Sequence, residues 1–311
     1  MKKICCIGII VADNIVNKIQ GIPVKGELQT VENICISVGG CASNCAVDLA
    51  KLGIRADLVG KVGKDYYGEI LIDLLKKDGV DIQYVSRDGK TGTAVTIVLV
   101  HKDGERSFYY YPGTNGTFTK EDIDLVSIDR NDYIFIAGAL LMPKFDGENT
   151  VDILKYAKER GKTIVMDTAY DSTGKWLETL ETSLRYIDIF MPSYLEAKHL
   201  FKEEDVYKMA EKIHSYGVQT AIIKLGKEGA FVSEQNKEGY IVPAYKDIEV
   251  MDTNGAGDAF CAGFLAGLAL EKDIKEAVYL GNAVGAHCVM GRGATQGIKS
   301  LGEVIDFMNH H

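Results

Sequence analysis

Short apolar runs alternate with amphipathic segments over much of the second half of the chain, from about residue 117 to about residue 250. The apolar runs are typical of buried strands, whereas residues 151–160 have helical spacing and end at Gly161. Strands that are joined by helices pair in parallel, because each crossover brings the chain back to the same end of the sheet. We therefore predict a mainly parallel sheet covered by helices, with strands at residues 133–136, 163–166, 187–191 and 220–225.

The size and charge of the chain limit its partners. Its 311 residues are 46% hydrophobic, which is ample for a large core. The formal net charge of −9 argues against nucleic acid or an anionic membrane surface as a general partner. Residues 1–8 contain an apolar run too short for a signal peptide or a membrane span, so we interpret it as a buried strand.

The seven cysteines lie mostly within apolar patterns, and their number is odd. This usage predicts reduced thiols and a cytoplasmic protein. No Cys-x-x-Cys pair has a matching second pair, so we expect no zinc site. The P-loop pattern Gly-x4-Gly-Lys-Ser/Thr and the dinucleotide fingerprint Gly-x-Gly-x-x-Gly after a strand are both absent from the sequence.

Residues 252–258, Asp-Thr-Asn-Gly-Ala-Gly-Asp, lead into the apolar, small-residue segment 259–268. The pattern predicts a loop followed by a buried helix, and the glycines allow a ligand to approach the free N–H groups at the helix start. Such a helix end favours an anion, above all phosphate. Asp258 would repel that anion unless it accepts a proton from a hydroxyl group that attacks phosphate. The simpler interpretation is a helix N-cap with a tight turn.

Two glycines, Gly39 and Gly40, precede a predicted helix that carries Asn44 near its start and ends at Gly53. The glycine pair allows close approach of a ligand to the backbone, and the Asn44 amide offers both donors and an acceptor. Asp13 follows the first apolar run, where open α/β sheets bind ligands at the carboxyl ends of their strands. A turn aspartate is the alternative interpretation of Asp13.

Together these motifs resemble the pfkB, or ribokinase-like, family of carbohydrate and nucleoside kinases, and the resemblance covers essentially the whole chain. It implies a ribokinase-like three-layer α/β/α sandwich with a mainly parallel central sheet and a small β-sheet lid. It further implies an ATP-dependent kinase in which Asp258 is the catalytic base and the amides of Gly255, Ala256 and Gly257 form the anion hole. Asp13, Gly39, Gly40 and Asn44 would then bind the sugar.

The resemblance extends to nucleotide and metal binding. The loop after the strand at 220–225, with Lys224, Gly226 and Gly229, would lie beneath ATP, although an ordinary turn is the alternative. Asn282 would flank the adenine, or serve close helix packing. The family usually has Asn-x-x-Glu where this chain has Ser193-x-x-Glu196. Glu196 would help to hold magnesium through water, the contact of Ser193 to nucleotide is in doubt, and both residues also fit a capping box.

The resemblance also implies a potassium ion beside the anion hole. Asp252 would be its carboxylate ligand, and the Gly291-Arg292-Gly293 loop would complete the cage. On that basis we expect activity to rise when potassium replaces sodium. A plain turn cap is the alternative role of Asp252.

Residues 14–37 and 91–111 alternate between apolar and polar positions, as half-buried strands do. We predict that they pair as a lid, while residues 1–13, 38–90 and 112–311 form the catalytic and nucleotide-binding domain. A small sheet has exposed edges and one apolar face. Because several family members cover theirs by pairing lids, we expect a homodimer through these segments.

For the substrate, we expect a neutral sugar. Many relatives carry Asn-x-Arg after the strand that ends at Asp167, and here Asp171 stands near the position of the Arg. Cys41 replaces the Lys that ribokinases often have, so two candidate cations are missing, although Arg106 and Lys102 on the lid could supply one. Asp13, Asn44, Asp167 and Asp171 would accept hydrogen bonds from hydroxyl groups. The alternatives are a nucleoside kinase, a phosphosugar kinase and a catalytically silent regulatory protein.

Overall fold

The computed structural model of the chain describes residues 1–102 and 106–311. Thirteen strands are found in this part of the chain. They are β1 (Ile4–Gly8), β2 (Val11–Ile19), β3 (Asn33–Gly39), β4 (Ala56–Gly63), β5 (Asp81–Asp88), β6 (Val95–His101), β7 (Arg106–Tyr111), β8 (Tyr133–Ala139), β9 (Thr163–Thr168), β10 (Ile189–Phe190), β11 (Thr220–Lys224), β12 (Ala230–Glu234) and β13 (Tyr240–Val242).

Ten α-helices accompany these strands within the described ranges. They are α1 (Cys41–Lys51), α2 (Tyr66–Lys77), α3 (Val126–Asp129), α4 (Glu148–Glu159), α5 (Leu177–Leu184), α6 (Tyr194–Phe201), α7 (Val206–Ser215), α8 (Ala256–Ala269), α9 (Ile274–Val289) and α10 (Leu301–His310). None of them is both long and apolar enough to cross a membrane, as far as the described residues extend.

Nine strands form one sheet, here called the core sheet, in the order β13-β12-β11-β10-β9-β8-β1-β4-β5. All pairs from β11 to β5 are parallel, and the last two pairs, β11–β12 and β12–β13, are antiparallel. The mainly parallel sheet predicted from the alternation is confirmed. Its carboxyl edge brings the ends of β9 and β11 together, which matters for the site below.

Helices cover both faces of the core sheet. Strand β1 shows this most clearly, since Ile4 and Cys6 pack into one buried cluster and Cys5 and Ile7 into the other. The first cluster receives side chains from α1, α2, α8 and α9, and the second from α4, α6 and α7. The predicted three-layer α/β/α sandwich is thus confirmed, because a parallel sheet needs apolar cover on both faces.

Strands β3, β2, β6 and β7 form a separate four-stranded sheet in that order, called the lid below. Strand β2 pairs antiparallel with β3 and parallel with β6, and β6 pairs antiparallel with β7. Both segments predicted to carry lid strands contribute to it. Residues 103–105, which the predicted segment 91–111 includes, lie outside the described residues.

The position of Asp13 differs from the prediction. We expected Asp13 to follow the first strand at the carboxyl end of the core sheet, but the chain enters β2 at Val11, so Asp13 lies within a strand of the lid. Only Ile9 and Ile10 separate β2 from β1. The error arose because β1 and β2 follow one another as one apolar run, which hides the passage from one sheet to the other.

Candidate active site

Gly255 is the N-cap of helix α8, and its φ of 75° lies in the left-handed region. A Cβ here would lie 2.4 Å from the carbonyl oxygen of Ala294, so only glycine fits. Among the described residues, the amides of Gly255 and Gly257 have no acceptor, and that of Ala256 makes only a long bond of 3.4 Å to Thr253. These N–H groups stand at the positive end of a buried helix and can bind an anion.

Asp258 lies in the first turn of α8, beside these amides. Its Oδ2 accepts a hydrogen bond of 2.8 Å from Nδ2 of Asn44. Burial raises the pKa of Asp258 above its ordinary value, while the Asn44 hydrogen bond and the charge of Lys224 partly lower it again. A partly buried carboxylate with a raised pKa next to an anion-binding helix end is suited to accept a proton.

Asn44 and Asp13 converge on this carboxylate from α1 and β2. Asn44 is buried, and its Oδ1 has no hydrogen-bond partner among the described residues. Asp13 lies against Gly39, where an added Cβ would come within 2.2 Å of its carboxylate oxygen. Burial raises the pKa of Asp13 to about 6, and the charge of Asp258 contributes. Gly40 precedes α1 with a φ of 94°. The predicted sugar-binding residues therefore lie together.

Lys224, expected in the nucleotide loop, ends β11, and its mostly buried side chain lies near the start of α8. Its Nζ donates to both carboxylate oxygens of Asp167 at 2.7 Å. A Cβ added to Gly257 would lie 3.6 Å from the same Nζ, so the ammonium group is next to the anion-binding amides. Burial is the largest single effect on the pKa of Lys224 and lowers it, but the charges of Asp167, Cys261 and Glu196 and the hydrogen bond to Asp167 together outweigh burial, so the net shift is upward. The site thus contains a fixed cation that the sequence analysis did not recognise.

The other residues predicted to bind nucleotide differ in their surroundings. Gly226 has a φ of 60° and faces open space, whereas a Cβ at Gly229 would lie 2.1 Å from the carbonyl oxygen of Val242. Asn282 donates through Nδ2 to the carbonyls of Val242 and Pro243, at 3.1 and 3.0 Å. Gly226 is therefore open to a ligand, while Gly229 and Asn282 hold the backbone after β13 in place. Their roles toward nucleotide stay predictions.

Ser193 and Glu196 form the capping box at the start of α6 that was one of the two interpretations. The backbone N–H of Ser193 and the hydroxyl of Thr168 donate to Oε2 of Glu196, at 2.8 and 3.0 Å. Oε1 accepts no hydrogen bond from the described residues, so Glu196 keeps one oxygen that fits the water shell of a magnesium ion. Residues 1–102 and 106–311 contain no cluster of three or more His, Cys, Asp or Glu side chains suited to a metal.

Asp252 lies just before the anion-binding turn and is held by several donors. Its Oδ1 accepts from the amide of Asn254 and its Oδ2 from the amide of Gly293, both at 2.7 Å. The guanidinium group of Arg106, on the lid, also pairs with Oδ1. The potassium ion predicted at Asp252 stays a prediction, and Arg106 is a competing cation at the same carboxylate.

Two acceptors proposed for sugar hydroxyl groups are engaged within the protein. Asp171 accepts from the amide and hydroxyl of Thr173 and from the amide of Trp176, at 2.6 to 2.7 Å. Asp167 is paired with Lys224. The expectation that Asp167 and Asp171 offer free acceptors is therefore wrong, since a short Asp-x-Thr turn and a buried ion pair use their oxygens.

Comparisons with known proteins agree with this geometry. Residues 1–301 match the family described as pfkB family carbohydrate kinase. An uncharacterized sugar kinase of Archaeoglobus fulgidus is 34% identical over 80% of this chain and 97% of its own. A Haemophilus influenzae ribokinase is 28% identical over 99% of each chain. A 2-dehydro-3-deoxygluconokinase of Bacillus subtilis is 29% identical over 91% and 90% of the two chains.

Solved structures resemble the whole chain as well. A protein from E. coli assigned as ribokinase II, solved in complex with ATP and Mg²⁺, superposes with a TM-score of 0.85. The two chains are 25% identical, and the superposition covers 100% of both.

Proposed function

The chain belongs to the pfkB family of carbohydrate kinases, and from this premise we propose that it transfers the γ-phosphoryl group of ATP to a hydroxyl group of a neutral sugar, with Asp258 as the general base. That it is a sugar kinase, a phosphotransferase with an alcohol group as acceptor, follows from the family. The observation that carries the finer proposal is Asp258 itself, which lies between the free amides of α8 and the amide group of Asn44.

In the proposed reaction, ionised Asp258 accepts the proton of the attacking hydroxyl group. The hydroxyl oxygen forms a bond to the γ-phosphorus, the bond from that phosphorus to the β–γ bridging oxygen breaks, and ADP leaves. The amides of Gly255, Ala256 and Gly257, with the ammonium group of Lys224, stabilise charge on the phosphoryl oxygens. The lid, which carries Asp13 on β2, would exclude water, which would otherwise receive the phosphoryl group.

Magnesium fits the proposed site through Glu196. The free Oε1 of this residue would hold the ion through water, and the ion would supply positive charge to the phosphate groups of ATP. Asp167 is less suited to bind the ion, because Lys224 occupies both of its oxygens.

The charges around the proposed sugar site support a neutral substrate. Asp13 and Asp258 are acidic, and the two nearby cations are each paired with an acid, Lys224 with Asp167 and Arg106 with Asp252. An anionic sugar would need a cation of its own, because an unpaired buried charge costs several kcal/mol. Pairing of Arg106 with Asp252 removes the main objection to a neutral substrate. Lys102, the other lid cation considered, is exposed.

A nucleoside is the second candidate. Tyr110 and Phe108 alternate with Tyr109 and lie on the face of the lid that carries Asp13, as the pairing of Asp13 with Thr96 and of Thr96 with Tyr110 requires. Aromatic side chains on this face could stack on a base. A phosphosugar substrate is less favoured by the paired cations, and a silent protein would have no need for Asp258 beside free amides.

We also propose a homodimer through the opposite face of the lid. Ile34, Ile36, Tyr109 and Tyr111 are exposed and, by the strand register, lie on this outer face. Contiguous exposed apolar surface on a small sheet is usually covered by a partner. A second copy of the chain would pair its own lid with this face.

A panel of acceptors tests the proposed function directly. Release of ADP would be measured with free sugars, sugar acids, phosphosugars and nucleosides at matched concentration, and kcat/KM would be compared. A neutral sugar should give the highest value. The substrate proposal is wrong if fructose 1-phosphate, fructose 6-phosphate or 2-keto-3-deoxygluconate exceeds every neutral sugar and nucleoside by about tenfold, roughly 1.4 kcal/mol of transition-state binding.

A further inference from the structure

Arg106 and Asp252 join the lid to the core domain. Arg106 is the first residue of β7, and Asp252 lies in the loop before α8. The side chains are mostly buried, with 17% and 9% of their surfaces exposed. Among the ion pairs of residues 1–102 and 106–311, it is the one that connects the two parts, since Lys18 pairs with Glu32 inside the lid segment.

Asp252 ties together the two loops on which the anion-binding turn rests. Its carboxylate accepts from the amide of Asn254 on one side and from the amide of Gly293, after α9, on the other. Gly255 is the residue after Asn254, and it packs against Ala294. Any change in the charge or position of the Asp252 carboxylate therefore reaches the free amides of Gly255 and Gly257.

A carboxylate with so little exposure is stabilised by a cation beyond what its two amide donors supply, and removing only the cation from a mostly buried ion pair is costly. Arg106 supplies that charge in the structure, and its charge also acts on Asp13, whose pKa it lowers against the larger effect of burial. The guanidinium group thus stands between the acid that would bind the sugar and the acid that holds the anion-binding turn.

From this geometry we infer that Arg106 is a positioning residue that supplies the cation at Asp252 in place of a monovalent ion, so that closure of the lid completes the anion hole. The inference rests on the proposed kinase function. It makes phosphoryl transfer depend on the closed lid, and it leaves the enzyme with little need for potassium. When the lid opens, the Asp252 carboxylate loses its counter-charge, and the turn at Gly255 loses a support.

The test compares Arg106→Met, Arg106→Lys and the matched control Lys102→Met, which removes an exposed lysine of the lid. Each protein would be assayed with ATP and the best acceptor in NaCl and in KCl at equal ionic strength. For wild type, and likewise for Lys102→Met, we expect kcat in KCl to differ from kcat in NaCl by less than about twofold. Arg106→Met should lose kcat by roughly 10- to 100-fold in sodium, as misplacement of catalytic groups does, and recover part of it in potassium. The kcat of Arg106→Lys in sodium should lie between the values of wild type and of Arg106→Met.

Thermal unfolding in the same two salts gives a readout that does not need activity. Potassium should raise the Tm of Arg106→Met above its value in sodium and leave that of wild type unchanged. The inference is overturned if wild type and Arg106→Met respond equally to potassium in both measurements. It is also overturned if Arg106→Met raises only the KM of the acceptor, which would make Arg106 a substrate-binding residue. If wild type phosphorylates nothing in the acceptor panel, the kinase proposal fails, while the Tm comparison still decides the role of Arg106.

Discussion

The core sheet and the lid place functional groups in different ways. Strand β1 of the core sheet is buried along its whole length, whereas β7 of the lid has no buried residue. Packing on both sides fixes the core, and with it Asp258, Asn44 and Lys224. The lid is held in position by contacts with the core domain, such as the ion pair of Arg106 and Asp252. In the proposed mechanism, the core provides the phosphoryl-transfer chemistry, and the lid controls when, and on which acceptor, it occurs.

The largest expected effect lies in the core. Asp258→Asn keeps the size and polarity of the side chain but cannot accept a proton, so kcat should fall by roughly 10²–10⁴-fold. Binding of ATP and of the acceptor, measured by calorimetry, should be nearly unchanged. Asp48→Asn is a matched control, because it makes the same Asp-to-Asn change at a buried acid on α1, one helical turn beyond Asn44. Turnover of Asp258→Asn close to that of the control would remove Asp258 from the mechanism.

Core features of the site were largely visible in the sequence. The alternation of strands and helices, the buried helix α8 and the capping box of Ser193 and Glu196 all depend on local patterns, and each is found in the structure. The resemblance to the family assigned the motifs around Asn44 and Asp258 to the same site. In the structure a hydrogen bond of 2.8 Å joins the two side chains.

Contacts between distant side chains were not visible. No local sequence pattern shows that Arg106 pairs with Asp252, or that Lys224 forms an ion pair with Asp167. Asp171 was misinterpreted because a carboxylate after a strand suits both a ligand and a turn, and only the bonds from Thr173 and Trp176 decide between them. The passage from the core sheet to the lid at Val11 was hidden within one apolar run.

Lys224 offers a second way to test how much of the chemistry the core fixes. Lys224→Met should lower kcat by about 10²-fold, a loss similar to that of one oxyanion-hole donor. The charge of Lys224 lowers the pKa of Asp258, so its removal should raise that pKa. Because the base acts when ionised, the acidic limb of the pH profile of kcat/KM should move to higher pH.

Controls for Lys224 use its neighbours. Lys227→Met removes an exposed lysine from the same loop and should leave both kcat and the pH profile unchanged. The double variant Lys224→Met/Asp167→Asn removes both charges, which guards against unfolding caused by a buried unpaired acid. An unshifted acidic limb in a folded Lys224 variant would show that Lys224 does not act on Asp258.

The outer face of the lid predicts a smaller effect, on assembly. Ile34 on β3 and Ile241 on β13 are 64% and 52% exposed, so neither is needed for packing within one chain. Ile34→Lys would place a charge in the proposed dimer contact and should weaken association by at least about tenfold. Ile241→Lys, on the core sheet, should have no effect. Light scattering at micromolar concentration measures the oligomeric state of both variants and of wild type. A monomeric wild type would refute the lid dimer.

At Asp48, on α1, a substitution is expected to change stability and not activity. Asp48 is fully buried, and neither of its carboxylate oxygens has a partner among the described residues. Burial raises the pKa of Asp48 well above its ordinary value, and the charge of Asp258 adds to this. The folded state therefore holds this proton to higher pH than the unfolded state does, so the contribution of Asp48 to stability is full below the unfolded pKa and is lost as pH rises toward the folded one. In Asp48→Asn this loss is absent, and the variant should gain stability over wild type as pH rises above about 4, by at most about 1.4 kcal/mol per pH unit. Urea unfolding at several pH values measures the difference, and a gap that does not change with pH would show that Asp48 is ionised, with a counter-charge, in the folded protein.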